Sequence, residues 1–359
     1  MRILHLVNHC IYGNGSVHVA VDLACGQAQL GHEVMYASAG GQYLELMSKQ
    51  GVICEHLVQR ELKPVALTRS LFRLIQICRT FKPEIIHAHM MAGAAFGKLV
   101  SVLFRIPLVT TVHNSFDRHS LIMRLGNKVV AVSNAERELL IKRGFNPQKV
   151  VAILNGPNFS PRDSHTQPAG SEVLDQIRSP CVMTLCGLHR RKGVHDLIAG
   201  FAEIAHEHPT WNLYVVGYGP DRDELEKLRA QLKLENRVTF LGYINIPGPA
   251  LKKADIFVLA SYADPCALVI PEAREAGCAI IGTAVGGTPE LLEHGKAGIL
   301  VNPEAPKEIA SALDLLMSDP AMLQRFRASS KQGSEYYRVS RVVEDYCKVY
   351  TSLTSSPVQ

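Results

Sequence analysis

The chain has 359 residues, 47% hydrophobic and 20% charged, with a formal net charge of +5; this composition excludes a disordered chain and supplies apolar mass for two domain cores. No apolar run approaches the roughly 18 residues of a membrane-spanning helix, and the start MRILHLVNHC turns polar too soon for a secretory signal, so it reads as a buried first strand. The nine cysteines, at 10, 25, 54, 78, 181, 186, 266, 278 and 347, form no CxxC pair; their odd number and scatter point to a reducing cytoplasm in which most fill the core.

The charge is unevenly placed. Residues 1–160 hold 17 Lys and Arg against 9 Asp and Glu, or +8, while residues 161–359 hold 21 against 24, or −3. A basic N-terminal half fits an anionic partner: a phosphate-bearing acceptor, an anionic membrane surface or nucleic acid. A solvated basic face explains the same count.

In chain order, residues 2–7 form an apolar strand. Gly13-Asn14-Gly15-Ser16 is a turn with Ser16 as helix cap, 17–30 has amphipathic helical spacing, and Gly31 stops it. Strands follow at 33–37, 85–89, 108–113 and 128–133, with helical stretches between them. Residues 156–178 are rich in Pro, Ser and Gly and read as the interdomain segment. The alternation restarts with strands at 181–186, 213–216, 238–241, 256–259, 279–282 and 299–301, and helices at 194–208 and 221–232. A last helix spans 335–351, and 355–359 reads as a frayed tail. Strands alternating with helices predict an α/β chain with two parallel sheets.

In such sheets ligands sit at the C-terminal strand ends, where helix N-termini attract phosphates. The loop at 13–15 is one such place. A nicotinamide-dinucleotide fingerprint fails there, because its third glycine would fall on His18 and no acid closes the second strand. An ordinary tight turn accounts for this loop equally well. Gly187-Leu188-His189-Arg190-Arg191-Lys192-Gly193 places three cations between a strand and a helix, as a diphosphate needs; a solvated basic turn is the plainer account. Asp264 closes the loop after strand 256–259, and Glu272 lies in the first turn of the next helix with Pro271. Carboxylates so placed grip sugar or ribose hydroxyls, although Glu272 also suits the helix dipole. Glycine-closed turns recur at 216–220, 237–244 and 286–290.

These residues together resemble family 4 of the retaining glycosyltransferases over nearly the whole chain. The resemblance rests on the glycine loop at 13–15, GHEV at 31–34, IIHAH at 85–89, VTTVH at 109–113 and VVAVSNA at 129–135. It continues through RKG at 191–193, VGYGP at 216–220, RVTFLGY at 237–243, ADIFVLAS at 254–261 and GGTPELL at 286–292. The family's two glutamates eight positions apart map to Asp264 and Glu272, so the first acid is shorter. Cys266-Ala267 replaces the usual Phe-Gly, the 187–193 loop is one residue shorter than its commonest form, and Leu188 stands where arginine is frequent.

The resemblance implies a GT-B fold: two facing Rossmann-like domains with a deep interdomain cleft, over 1–160 and 161–335, and a helix over 336–359 packing back on the first. It implies a hexosyltransferase that binds a nucleotide-sugar, most often a UDP-sugar, and delivers it to a glycan or lipid-linked glycan in polysaccharide or lipopolysaccharide synthesis. The nucleotide-sugar is a substrate; no cofactor or metal is expected, and no nucleic acid as partner. His113, Lys192 and Asp264 take the catalytic positions, with Gly15, Arg190, Arg191, Ile244, Ala267, Leu268, Val269 and Glu272 around the donor. Lys192 takes the diphosphate role, with either Arg190 or Arg191 as its partner. His113 matches the family's acceptor-side histidine, whereas His87 and His89 read as strand residues. A nucleotide-sugar epimerase on the same architecture is an alternative, as is a non-catalytic donor-binding partner of a polysaccharide assembly complex. His113, Lys192 and Glu272 argue against the latter, and the shortened acid at 264 leaves it open. A phosphorylase would need a cofactor-lysine signature, which is absent.

The basic half carries one further expectation. Arg60, Lys63, Arg69, Arg73, Arg79 and Lys82 lie in or beside a helical stretch at 67–81, with Leu71, Leu74, Ile75 and Cys78 as an apolar stripe. Such a helix lies on an anionic cytoplasmic membrane face, unless the stripe faces the core instead.

Overall fold

A computed structural model describes residues 1–60, 64–164 and 171–355. Its strands are β1 (Arg2–Leu6), β2 (Glu33–Ser38), β3 (Ile53–His56), β4 (Ile85–Ala88), β5 (Leu108–Val112), β6 (Lys128–Ala131), β7 (Val150–Ala152), β8 (Cys181–Leu185), β9 (Asn212–Val216), β10 (Val238–Gly242), β11 (Ile256–Leu259), β12 (Ala279–Thr283) and β13 (Ile299–Val301). Between them run α1 (Gly15–Gln29), α2 (Leu44–Lys49), α3 (Pro64–Phe81), α4 (Met91–Phe104), α5 (Asn134–Lys142), α6 (Ser171–Leu174), α7 (Val194–Ile204), α8 (Arg222–Gln231), α9 (Gly248–Leu251), α10 (Val269–Ala276), α11 (Thr288–Leu291), α12 (Pro306–Ser318), α13 (Pro320–Lys331) and α14 (Val339–Thr354). The chain divides into two compact units, Met1–His165 with Tyr337–Gln359, and Thr166–Tyr336.

The first unit holds a seven-stranded sheet of order β3-β2-β1-β4-β5-β6-β7, parallel at every pairing. Its central strands are buried on both faces, so burial runs continuously along them instead of alternating, and the polar His5, His87, Thr110 and Thr111 are enclosed with the apolar residues. One face packs Leu4, Leu6, Ile86 and Val129 against Leu74, Ile77, Cys78 and Phe81 of α3, with Val100 and Leu140 from α4 and α5. The other packs Ile3, Ile85, Val109 and Val130 under Leu23 of α1 and Val339, Val342, Val343, Tyr346 and Tyr350 of α14.

Two local expectations about α1 are revised. Spacing at 17–30 predicts an amphipathic helix, yet Val17 and every residue from Val19 to Gln27 are buried. α14 packs beside α1, with Tyr43, Leu46 and Met47 and the Arg162 and Ser160 side chains covering more of it; a Cβ on Gly26 would stand 2.5 Å from Val343 Cγ2, so glycine permits this approach. The N-cap of α1 is Asn14 and not Ser16: Asn14 Oδ1 accepts from the amides of Ser16 at 3.0 Å and Val17 at 3.4 Å.

The stripe of α3 faces inward. Leu74 and Cys78 are core residues, with Leu71 and Ile75 packed beside them, so the stripe is not the membrane face expected of it. Arg73 pairs with Glu55 of β3 at 2.8 Å. Lys63 lies outside the described residues. Edge strands β3 and β7 give no clear strand signal in the sequence, because ICEH mixes polar with apolar residues and VVA is only three long.

The expected interdomain segment at 156–178 is not featureless. Arg162 makes a bidentate ion pair with Asp22 of α1, at 2.8 and 2.9 Å, and Ser160 Oγ donates to the same carboxylate at 2.6 Å. All three side chains are buried, so the chain stays in the first unit beyond residue 160. Where it returns, Asn158 accepts from the Val339 amide and donates to the Tyr337 carbonyl, both at 3.0 Å. Residues 165–170 of that segment, and 356–359 of the expected tail, lie outside the described residues.

The second unit holds a six-stranded sheet of order β10-β9-β8-β11-β12-β13, again parallel. Val182, Val215, Val258 and Ile281 pack under Leu197 and Phe201 of α7 and Leu313 and Leu316 of α12. Both sheets are doubly wound: the order reverses between β1 and β4 in the first and between β8 and β11 in the second, the crevice where such sheets hold ligands. No helix among the described residues is long and apolar enough to cross a membrane.

Candidate active site

In the second unit, Arg190–Lys192 forms a short 3-10 turn beyond β8. Gly193 ends it at φ 63°, where a Cβ would stand 1.9 Å from the Ala260 carbonyl oxygen. The Tyr262 amide donates to the Arg191 carbonyl at 2.7 Å, which joins the loops after β8 and β11. Their side chains meet as well: Lys192 Nζ lies 2.5 Å from Asp264 Oδ2, and both groups are largely buried. The sheet order reverses at this point, so two residues 72 positions apart become partners.

The loop after β12 closes on the same place. The Gly287 amide donates to the Asp264 carbonyl at 3.2 Å, and a Cβ on Gly286 would stand 1.8 Å from that oxygen. The loop after β9 behaves alike, since Cβ atoms on Gly217 and Gly219 would meet the carbonyl oxygens of Cys186 at 1.9 Å and Leu188 at 2.2 Å. Glycine at 193, 217, 219 and 286 makes room for neighbouring backbone, which stitches four strand-end loops into one floor. Leu188 is fully buried in it, which explains an apolar residue where a cation is frequent.

α10 starts beside this floor. Leu268 gives it no side-chain cap, and Glu272 sits in its first turn. Cys266, Ala267 and Val269 are buried. A helix start without a side-chain cap offers amides and positive dipole to an anion. Ile244, buried just past β10, belongs to the adjoining loop. Arg190 is exposed and lies 3.1 Å from Glu224 of α8. Lys192, Asp264 and the start of α10 thus converge, while Arg190 turns away.

In the first unit, Gly13 has φ 76° and Gly15 opens α1. His89 and His113, expected as strand ends, lie one residue beyond β4 and β5. His113 Nε2 is 3.2 Å from His89 Nδ1, and His89 Nε2 is 3.0 Å from His5 Nδ1. His5 Nε2 reaches Gln27 Oε1 at 2.8 Å. His87 lies between Tyr350 OH and Thr111 Oγ1, each at 2.7 Å. Burial lowers the pKa of His5 and His113 to about 4, and that of His87 and His89 well below 6.5, with neighbouring histidines adding to the last two. All four rings are neutral at pH 7. His5, Gln27 and Tyr350 carry no signal of their own in the sequence, and His89 reads there only as a strand residue. The signal was present in register: His5 pairs with His87 across β1 and β4, and His89 and His113 follow β4 and β5 by one residue, so three neighbouring strands carry histidine at or just past their C-terminal ends.

Residues 13–160 match the family described as glycosyltransferase family 4, and residues 179–333 match glycosyl transferases group 1; together they span most of the chain. An uncharacterised glycosyltransferase of Haemophilus influenzae is 23% identical over 92% of this chain and 95% of its own. The N-acetyl-alpha-D-glucosaminyl L-malate synthase of Bacillus anthracis is 25% identical over 94% and 93%. Among solved structures, Anabaena HepE in complex with UDP and glucose superposes with a TM-score of 0.83, covering 98% of this chain and 100% of that one at 21% identity. That likeness shows a shared fold, GT-B, built of two Rossmann-like domains.

Proposed function

We propose, from the premise that this chain belongs to glycosyltransferase family 4, that it transfers a hexose from a UDP-sugar to a glycan or lipid-linked glycan with retention of anomeric configuration. The observation that carries the donor site is the Lys192–Asp264 pair at the reversal point of the second sheet, beside the uncapped start of α10. Lys192 and the amides at Ala267–Val269 hold the diphosphate. Arg190 is turned to Glu224, which leaves Arg191 as the proposed second cation. Glu272 holds the ribose, and Asp264 exchanges its bond to Lys192 for a sugar hydroxyl. Positive groups fixed at the departing phosphate stabilise the charge that develops there. The phosphate takes the acceptor's proton on the sugar face it leaves, so no protein nucleophile is required. His113, neutral at pH 7, orients the sugar and offers a lone pair to its developing positive charge. The reaction is proposed to need no metal.

The HepE complex with UDP and glucose supports a uridine donor. Membrane contact is proposed for the outward face of the first unit. Val65 and Phe72 of α3 and Leu99, Val102 and Leu103 of α4 are exposed, with Arg69 and Arg105 exposed among them. Apolar anchors flanked by cations suit an anionic lipid surface. A panel of nucleotide-sugars, assayed for hydrolysis and for transfer to lipid-linked glycans, tests the assignment. UDP-hexoses should be consumed with the anomeric configuration kept; inversion, or indifference to every donor, overturns it.

A further inference from the structure

The buried polar groups of the first unit form one continuous chain from His113 to α14. His113, His89, His5 and Gln27 are linked as described above; Gln27 Nε2 then lies 3.3 Å from Tyr350 OH, which reaches His87 Nδ1. His87 Nε2 meets Thr111 Oγ1, which lies 3.1 Å from Tyr346 OH. His5, His87, Gln27, Thr111, Tyr346 and Tyr350 are at most 1% exposed and His89 is 3% exposed, so these bonds are shielded from bulk water.

A neutral imidazole has one donor and one acceptor nitrogen, so the bond at one nitrogen dictates the role of the other. Gln27 sets the sense of the whole chain. Its Oε1 only accepts, so His5 carries its proton on Nε2 and accepts at Nδ1. His89 must then donate from Nε2 and accept at Nδ1, and His113 must donate from Nε2. On the other side the Gln27 amide donates to Tyr350 OH, Tyr350 donates to His87 Nδ1, His87 donates from Nε2 to Thr111, and Thr111 donates to Tyr346. Every bond is satisfied in one sense, and turning the amide over would reverse both arms together.

By distance alone the same rings are a candidate metal cluster. The nitrogens of His5, His87 and His89 lie within 4.8 Å of one another. Yet His89 spends its two nitrogens on opposite neighbours, and both His87 nitrogens are taken by Tyr350 and Thr111, so no three lone pairs converge.

We propose that Gln27, His5 and His89 are positioning residues that relay a fixed tautomer to His113, with its proton on Nε2 and Nδ1 left as the acceptor. This rests on the reading that His113 acts in turnover. A lone pair at Nδ1 serves a developing positive charge, and an N–H there opposes it, so the relay matters to the chemical step more than to donor binding.

Two-bond 1H–15N correlation spectra of the full chain, labelled in histidine, test this at pH 7, with His113 assigned by its loss in His113→Gln. The wild type should show His113 protonated at Nε2 and bare at Nδ1. Gln27→Leu and His89→Leu remove the bias, so Nδ1–H should appear and kcat should fall about tenfold with KM for the nucleotide-sugar nearly unchanged. His89→Gln keeps one acceptor and one donor, and should restore both the tautomer and most of kcat. A wild-type His113 protonated at Nδ1, which needs no variant to fold, overturns the proposal. So does a His113 tautomer unmoved in both leucine variants. The catalytic reading fails separately, if His113→Ala turns over like the wild type; the tautomer is read from the spectrum either way.

Discussion

Lys192 Nζ and Asp264 Oδ2 lie 2.5 Å apart, one in the turn after β8 and one in the loop after β11. A carboxylate on the proposed diphosphate-binding cation sets a competition: the incoming phosphate must replace it, and the freed acid becomes available to the sugar. Lys192→Ala should therefore weaken UDP binding at least about tenfold, worth roughly 1.4 kcal/mol. Asp264→Asn removes the competitor, so UDP affinity should hold or rise while turnover drops. Calorimetry with UDP beside steady-state rates separates these; a parallel loss of UDP affinity in Asp264→Asn contradicts the exchange.

Glu272 in the first turn of α10 is assigned to the ribose. Glu272→Ala should lower UDP affinity by about tenfold or more in a folded protein. Unchanged binding by calorimetry sinks that assignment.

His113→Ala should act on the other quantity. Turnover falls while UDP affinity stays nearly intact, because the side chain serves the sugar and not the nucleotide. Wild-type turnover in this variant would make His113 structural.

The buried histidines also set an acid limit on stability. His5 and His113 titrate near 4 in the folded chain and near 6.5 when unfolded. Below about pH 6.5 the unfolded state takes up protons that the folded state refuses, so stability falls from there toward pH 4. Urea midpoints should drop across that window, and more gently in His5→Gln, which removes one of the refusing groups. An equal slope in wild type and variant counts against it.

Arg162 and Asp22 form a buried bidentate pair whose side chains are 6% and 7% exposed. Arg162→Met leaves the Asp22 charge uncompensated and should cost the first unit about 3 kcal/mol. The single tryptophan, Trp211, belongs to the second unit's core and gives an internal control. The circular-dichroism midpoint should fall in urea more than the Trp211 fluorescence midpoint. Equal shifts would mean that the pair serves both units alike.

The proposed lipid-facing surface predicts co-sedimentation with anionic but not neutral liposomes, weakened by salt. Phe72→Ser/Leu103→Ser should reduce it, whereas Glu55→Gln, which touches only the ion pair with Arg73, should not. Wild-type protein left in the supernatant at low salt argues for another acceptor route.

Two parallel sheets, their strand-end loops and most proposed donor residues were legible in the sequence. Strand–helix alternation and glycine punctuation are local signals, and Lys192, Asp264 and Glu272 each sit where such a loop meets a helix. Four things required the tertiary structure, because each depends on groups distant in sequence. The stripe of α3 is the same pattern whether it meets a sheet or a membrane, and only the sheet's own Leu4, Leu6 and Ile86 decided it. α1 reads as half-exposed, and α14, α2 and the 160–162 segment together cover it. The glycines at 193, 217, 219 and 286 read as turn punctuation, and only the fold shows that each makes room for a neighbouring carbonyl. The histidine chain is spread over β1, β4 and β5 and closed by α1 and α14, so residue types alone show four separate histidines. Only the parallel register lines up their nitrogens, and only burial makes each proton's place depend on the next.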